Sequence, residues 1–277
     1  MRENAIDADA FNAFEARVWE QQAPGYDGFF GQITGRLVEP LLDAAVVDPG
    51  AQVLDLATGP GYVASTAAER GASVVGIDVA PAMIELAGRL HPQLEFRRAD
   101  AHALPFDDAS FDAVVGNFLV LHLGRPEQAA DEFVRVLRPG GRLALTAWDV
   151  AERARLFGLF LEAVVEGGAS PPPDLPRGPD FFRFSHDEEF DALLRDRGLD
   201  GITVSTIAFT HRVGTAEEVW DGMLAGTVRT SSLILRQTPE TQRSIRAAFD
   251  RLVEDYRTGD AIELPISVKL ASGHKPR

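Results

Sequence analysis

Between residues 52 and 148, short apolar runs alternate with stretches whose apolar residues recur at helical spacing. Strands that alternate with helices predict a parallel sheet covered by helices on both faces. The first run, Val53, Leu54, Asp55, Leu56, breaks into Gly59, Pro60, Gly61 just before a helical pattern. A second, residues 73–78, ends in Asp78, and a third, residues 94–98, runs into Ala99, Asp100, Ala101. The fourth ends at Asn117, and Gly140 with Gly141 after Pro139 opens the fifth. Ahead of all five, Ile33, Leu37, Val38, Leu41 and Leu42 mark one face of a helix that stops at Asp48, Pro49, Gly50. No internal repeat is visible.

Beyond Trp148 the pattern changes. Residues 153–166 read as an amphipathic helix, and residues 167–173, Gly-Gly-Ala-Ser-Pro-Pro-Pro, read as a loop or hinge because they can continue neither helix nor strand. Ser185 and Glu188 form a capping-box pattern for a helix ending near Gly198. Residues 202–209 alternate as a strand, and residues 215–257 return to helical spacing.

The glycine turn is the first candidate for chemistry. Glycines admit a ligand close to the backbone, and a turn at the carboxyl end of a parallel strand delivers that ligand to a helix N-terminus. Gly59, Gly61 and Ala64, with Asp78 a strand later, also satisfy the dinucleotide pattern G-x-G-x-x-G/A. Two residues oppose a pyrophosphate there. Pro60 removes a backbone donor, and the Asp55 carboxylate repels phosphate. S-adenosylmethionine carries an ammonium and a sulfonium and no phosphate, so an acid at this position attracts it. Asp78 can accept both hydroxyls of a ribose, and Asp100 can accept the exocyclic amine of adenine. One acid at a strand end is ordinary capping chemistry, whereas three are a pattern.

On these residues the chain resembles the class I methyltransferases that use S-adenosylmethionine, and among them the small-molecule branch that includes the quinone-biosynthesis enzymes. The resemblance spans residues 19–148 and rests on segments 53–61, 74–80 with Met83, 100–106, 111–123 and 136–148. It departs at Ala57, where many members carry glycine. It implies an α/β fold: a Rossmann-like, seven-stranded, mostly parallel sheet with helices on both faces, its last two strands antiparallel, plus a helical substrate cap. Residues 1–50 would be N-terminal helices covering the cofactor, and 51–150 the cofactor-binding core. Residues 151–184 and 214–262 would be cap insertions, with 185–213 and 263–277 completing the core. Asp55, Ala57, Gly59 and Gly61 would line the methionine part and Asp78 with Val79 the ribose. Met83, Asp100 and Ala101 would surround adenine, with the Asn117 carbonyl near the ammonium. Met83 has core filling as its alternative reading. Trp19 and Tyr26 resemble the aromatic segment that folds over the cofactor, with ordinary packing as the alternative.

Composition sets outer bounds. A chain of 277 residues, 45% of them hydrophobic, can bury one large core. A net charge of −15 opposes a general grip on nucleic acid and favours a small-molecule partner. No apolar leader or membrane-length run is seen, so the expectation is a cytoplasmic protein with no membrane partner. The absence of cysteine excludes disulfides and thiol catalysis, and six dispersed histidines give no metal-ligand spacing.

The cap supplies the clue to the acceptor. Phe157, Phe160, Phe181, Phe182, Phe184 and Trp220 can line an apolar cavity for an aromatic, polyketide-like or prenylated molecule of biosynthesis, or can pack the cap internally. His122, after the fourth strand, is the candidate general base for an O, N or C acceptor, or else a structural imidazole. His211 stands second, and His186 is expected in solvent. Two rival functions remain: a nicotinamide-dependent oxidoreductase, and a repurposed binder that uses the cofactor without methyl transfer, for example in a cyclisation. The acceptor and the oligomeric state are open at this point.

Overall fold

Strand β1 (Gln52–Leu56) is buried from Val53 onward, as a strand covered on both faces must be. It lies in a computed structural model that describes residues 6–277, so residues 1–5 of the expected N-terminal segment lie outside the described residues. Helix α1 (Ala8–Thr34) comes first, capped by Asp7, whose carboxylate accepts the Ala10 N–H. A short 3-10 turn joins it to α2 (Val38–Ala44), which carries the apolar stripe read from the sequence. After β1 come α3 (Tyr62–Glu69), β2 (Ser73–Asp78), α4 (Pro81–Leu90) and β3 (Glu95–Arg98). Then follow β4 (Phe111–Gly116), α5 (Pro126–Val136) and β5 (Leu137–Trp148).

The C-terminal half comprises α6 (Arg155–Glu166), α7 (Asp187–Arg195), β6 (Asp200–Val213), α8 (Ala216–Gly226), α9 (Arg229–Leu235), α10 (Pro239–Val253), β7 (Arg257–Thr258) and β8 (Ala261–His274). The sheet order is β3-β2-β1-β4-β5-β8-β6. The first five strands pair in parallel, and β8 runs antiparallel between β5 and β6. The expected seven-stranded, mostly parallel sheet is therefore present, with β7 as a two-residue addition that pairs with the start of β8. The chain order reverses between β1 and β4, the place where open sheets of this kind leave a crevice at their carboxyl ends.

One apolar cluster binds α1 to the C-terminal half. Phe29 and Phe30 of α1 share it with Phe157 and Phe160 of α6, Trp220 of α8, Phe249 of α10 and Ile266 of β8. Helix α1 and the helices of the C-terminal half thus share one apolar core. Among the described residues no helix is long and apolar enough to cross a membrane.

Three local expectations are corrected. The capping box at Ser185 is not formed: Ser185 sits in a 3-10 turn and its hydroxyl donates to the Phe182 carbonyl at 2.6 Å, so α7 starts at Asp187, after His186, without a side-chain cap. The helical stretch 215–257 is three helices, because Thr227 is extended, Arg236 leaves helical geometry and Thr238 caps a new start ahead of Pro239. Since β8 begins at Ala261, the second cap insertion ends by residue 260 rather than 262.

Candidate active site

The turn after β1 is arranged around two buried acids. Asp55 Oδ2 accepts the Thr58 hydroxyl at 2.5 Å and the Ala64 N–H at 3.1 Å. Its Oδ1 has no partner among the described residues, and burial pushes the carboxyl up to about 7. Asp78 Oδ1 accepts the Ala80 N–H at 2.9 Å and Oδ2 the Gly59 N–H at 3.1 Å, leaving each oxygen one further lone pair. Burial raises Asp78 to about 6, against the opposing pull of these donors and of His122.

Both acids line one cavity of about 530 Å³ at the carboxyl ends of the strands. Ala57, Gly59, Val79, Met83, Asp100 and Ala101 are on the same wall. Met83 is 3% exposed and also packs on Ala23 and Ala80. Asp100 Oδ1 is engaged by the backbone N–H of His102 at 2.9 Å and by its Nδ1 at 2.8 Å, which lowers the carboxyl's pKa. Asn117 spans two elements: its amide donates to the Thr34 carbonyl at 3.1 Å, and its Oδ1 accepts the Thr146 hydroxyl at 2.7 Å. Tyr26 stacks on Phe30 with its hydroxyl 3.4 Å from that of Thr34, and burial pushes it up to about 12.

Past Asn117 the wall becomes aromatic. Phe118 and Trp148 stack with ring centroids 4.2 Å apart, Phe157 lies 4.9 Å from Trp148, and Phe181 lies 5.1 Å from Phe157. Phe160 and Phe182 line the same space, as do Pro171 and Leu175 from the segment after α6. That segment is held down by Gln237, which donates to the Ser170 carbonyl at 2.8 Å.

The order of this sheet recurs in known proteins. Residues 54–145 match the model of a family described as a methyltransferase domain. An uncharacterised protein of Mycobacterium tuberculosis is 33% identical over 65% of this chain, and the aligned part spans 65% of that relative's length. Demethylmenaquinone methyltransferase of Beutenbergia cavernae is 34% identical over 58% of this chain and 70% of its own length. The chain belongs to the class I S-adenosylmethionine-dependent methyltransferases. The fold agrees with that of the YcgJ protein from Bacillus subtilis, with a TM-score of 0.56 and 19% identity over 87% of this chain and 99% of that one. S-adenosylmethionine is the cofactor of this family of methyltransferases.

The methyltransferase's residues fit that cofactor on the geometry itself, because a buried carboxylate oxygen without a partner suits a cationic ligand. Of the residues expected around it, Tyr26, Asp55, Ala57, Gly59, Asp78, Val79, Met83, Asp100, Ala101 and Asn117 line the cavity. Gly61 does not. Its φ of +86° starts α3, and a Cβ there would meet Phe96 at 2.9 Å and His91 at 3.0 Å, so the glycine serves the backbone and the packing behind the turn. Trp220 is also withdrawn from the cavity: it packs between Phe160 and Phe249 in the core of the cap. Phe184 packs on Phe190 in a separate cluster under the sheet. His211 is buried edge-on to Phe29, away from the cavity, and His186 is exposed.

His122 does line the cavity, and its Nδ1 lies 2.8 Å from Oε2 of Glu15, a residue the sequence reading passed over. Arg229, at the start of α9, is likewise on the wall unannounced. The signal for Glu15 was present in the chain, as an acid set among Phe11, Phe14 and Val18 on the buried face of a helix.

Proposed function

We propose that the protein transfers a methyl group from S-adenosylmethionine to a small apolar or aromatic acceptor in a cytoplasmic biosynthetic step. One observation carries the reading. The unpartnered Oδ1 of Asp55 and the aromatic wall at Phe118 and Trp148 belong to a single cavity, which suits a cationic donor facing an apolar acceptor. The relatives named demethylmenaquinone methyltransferase support a small-molecule acceptor.

When bound, the cofactor supplies a methyl carbon made electrophilic by its sulfonium. Asp55, Ala57 and Gly59 hold the methionine end, Asp78 and Val79 the ribose, and Met83, Asp100 and Ala101 the adenine. Tyr26 and Asn117 close the wall beside them. Phe157, Phe160, Phe181 and Phe182 hold the acceptor in line and exclude water, which supplies most of the acceleration a displacement at carbon requires. His122 accepts the acceptor's proton at Nε2. In this assignment the core is 51–150 with 185–213 and 261–277, and the cap is 151–184 with 214–260.

Calorimetric titration tests the reading. S-adenosylhomocysteine binds and NADH does not, and mass spectrometry finds a gain of one methyl in an apolar aromatic acceptor. Binding of NADH alone, or cofactor binding with every turnover product unmethylated, overturns it.

A further inference from the structure

The geometry points to Thr146 of β5 as a positioning residue for the methionine end of the cofactor: one buried hydroxyl fixes Asn117 and Phe118 on the cavity wall and, through Asn117, ties the end of α1 to the strand ends. The inference rests on the methyl-transfer reading and adds to it a residue behind the cavity wall that decides how the cofactor is held.

Thr146 is fully buried in an otherwise apolar run of β5, and the cavity wall does not include it. A hydroxyl in such a place is costly unless it is hydrogen-bonded. Its oxygen accepts the backbone N–H of Phe118 at 2.8 Å, and its proton is donated to Asn117 Oδ1 at 2.7 Å. Asn117 Nδ2 in turn donates to the Thr34 carbonyl at 3.1 Å.

Every direction in this chain of bonds is forced. The Thr34 carbonyl can only accept, so Asn117 must turn its amide nitrogen to α1 and its oxygen to Thr146. That oxygen can also only accept. The Thr146 proton must therefore point at it, which leaves a lone pair for the Phe118 N–H. On the α1 side the Thr34 hydroxyl donates to the Phe30 carbonyl at 2.9 Å and accepts that of Tyr26 at 3.4 Å. The bonds thus run from Tyr26 through Thr34 and Asn117 to β5.

The backbone at Phe118 shows what the hydroxyl holds. This residue is left-handed at φ +58°, a conformation that a bulky side chain adopts only when its surroundings impose it. Thr146 and Trp148 stand two positions apart, on one face of β5. The first grips the Phe118 N–H, and the second stacks on its ring at 4.2 Å.

The place so held is the methionine end. Strands β1 and β4 pair in parallel with Leu56 opposite Gly116, so Asn117 leaves the sheet beside Ala57, close to Asp55 and its unpartnered oxygen. Tyr26, Thr34, Asn117 and Phe118 all line the cavity. At the nucleoside end, Asp78 is bonded to Gly59 and Ala80, and Asp100 to His102, outside this chain of bonds. Loss of the hydroxyl should therefore be felt by the amino acid of the ligand and not by its nucleoside.

The test compares S-adenosylhomocysteine with methylthioadenosine, which shares the nucleoside and lacks the amino acid. Calorimetry on the full-length protein measures both in wild type, in Thr146→Val, which keeps the shape and removes the hydroxyl, and in Thr146→Ser, which keeps the hydroxyl. Thr146→Val should weaken S-adenosylhomocysteine about tenfold or more and methylthioadenosine less than about twofold, and Thr146→Ser should bind both as wild type does. Unchanged S-adenosylhomocysteine affinity in Thr146→Val, equal losses for the two ligands, or the same selective loss in Thr146→Ser overturns the inference. Hydrogen exchange on the wild type needs no variant: S-adenosylhomocysteine should slow residues 26–34 beyond what saturating methylthioadenosine does. Equal slowing by both overturns the inference even where Thr146→Val fails to fold. A wild type that binds neither ligand overturns the cofactor reading itself.

Discussion

The backbone N–H of Gly59 donates to the carboxylate of Asp78 across 3.1 Å, so the turn after one strand is tethered to the acid at the end of the next before any ligand arrives. Replacing Asp78 with alanine removes that tether together with the two acceptor oxygens. S-adenosylhomocysteine affinity should fall by about 1 to 3 kcal/mol, the scale of charge-assisted hydrogen bonds. Calorimetry of Asp78→Ala beside Asp100→Ala checks it: Asp100, half engaged by His102, should lose less.

Asp55 and Asp78 give the free protein a pH signature. Both carboxyls are raised above 3.8 by burial, to about 7 and about 6, so the folded state holds protons that the unfolded chain has released. Their contribution to stability is complete below the unfolded value and is lost as pH rises through 6 and 7. Melting temperatures of wild type minus those of Asp55→Asn/Asp78→Asn should decline across that window. Cofactor affinity should move the other way, tightening as both acids ionise; a flat calorimetric profile from about pH 5 to about pH 8 would refute this.

Ala57 occupies the left-handed region at φ +50°, where a Cβ is strained. Ala57→Gly should relieve about 1 kcal/mol and leave cofactor affinity unchanged, as urea denaturation and calorimetry would reveal.

His122→Ala should reduce single-turnover rate by roughly 10² or more with cofactor affinity intact. Survival of the rate per folded molecule would make the imidazole structural.

Residues 167–179 carry Pro171 and Leu175 to the cavity and are tied back by Gln237 and by Arg229. Limited proteolysis should cut there first, cofactor with acceptor should slow it, and Gln237→Ala should speed it.

The core strands were legible because strands buried on both faces read as apolar runs, and because Asp55, Asp78 and Asp100 punctuate their ends in the order the site needs. Gly61 was legible as a glycine, but the motif does not separate a residue that lines the cavity from one that frees the backbone beside it. Trp220 and Phe157 are equally apolar, and only tertiary placement puts one in the core of the cap and the other on the cavity wall. Glu15 and His122 are 107 positions apart, joined by the docking of α1 across the strand ends, a contact that no local pattern encodes.

The position of β8 governs how the molecule can be made. It fills the slot between β5 and β6, with Arg142 opposite His274 on one side and Val213 opposite Ile262 on the other, yet it follows both in the chain. Until the whole cap has been synthesised, β5 keeps an open, apolar edge of the kind that recruits neighbouring chains. Closure of the sheet is thus a long-range event that waits for the last strand.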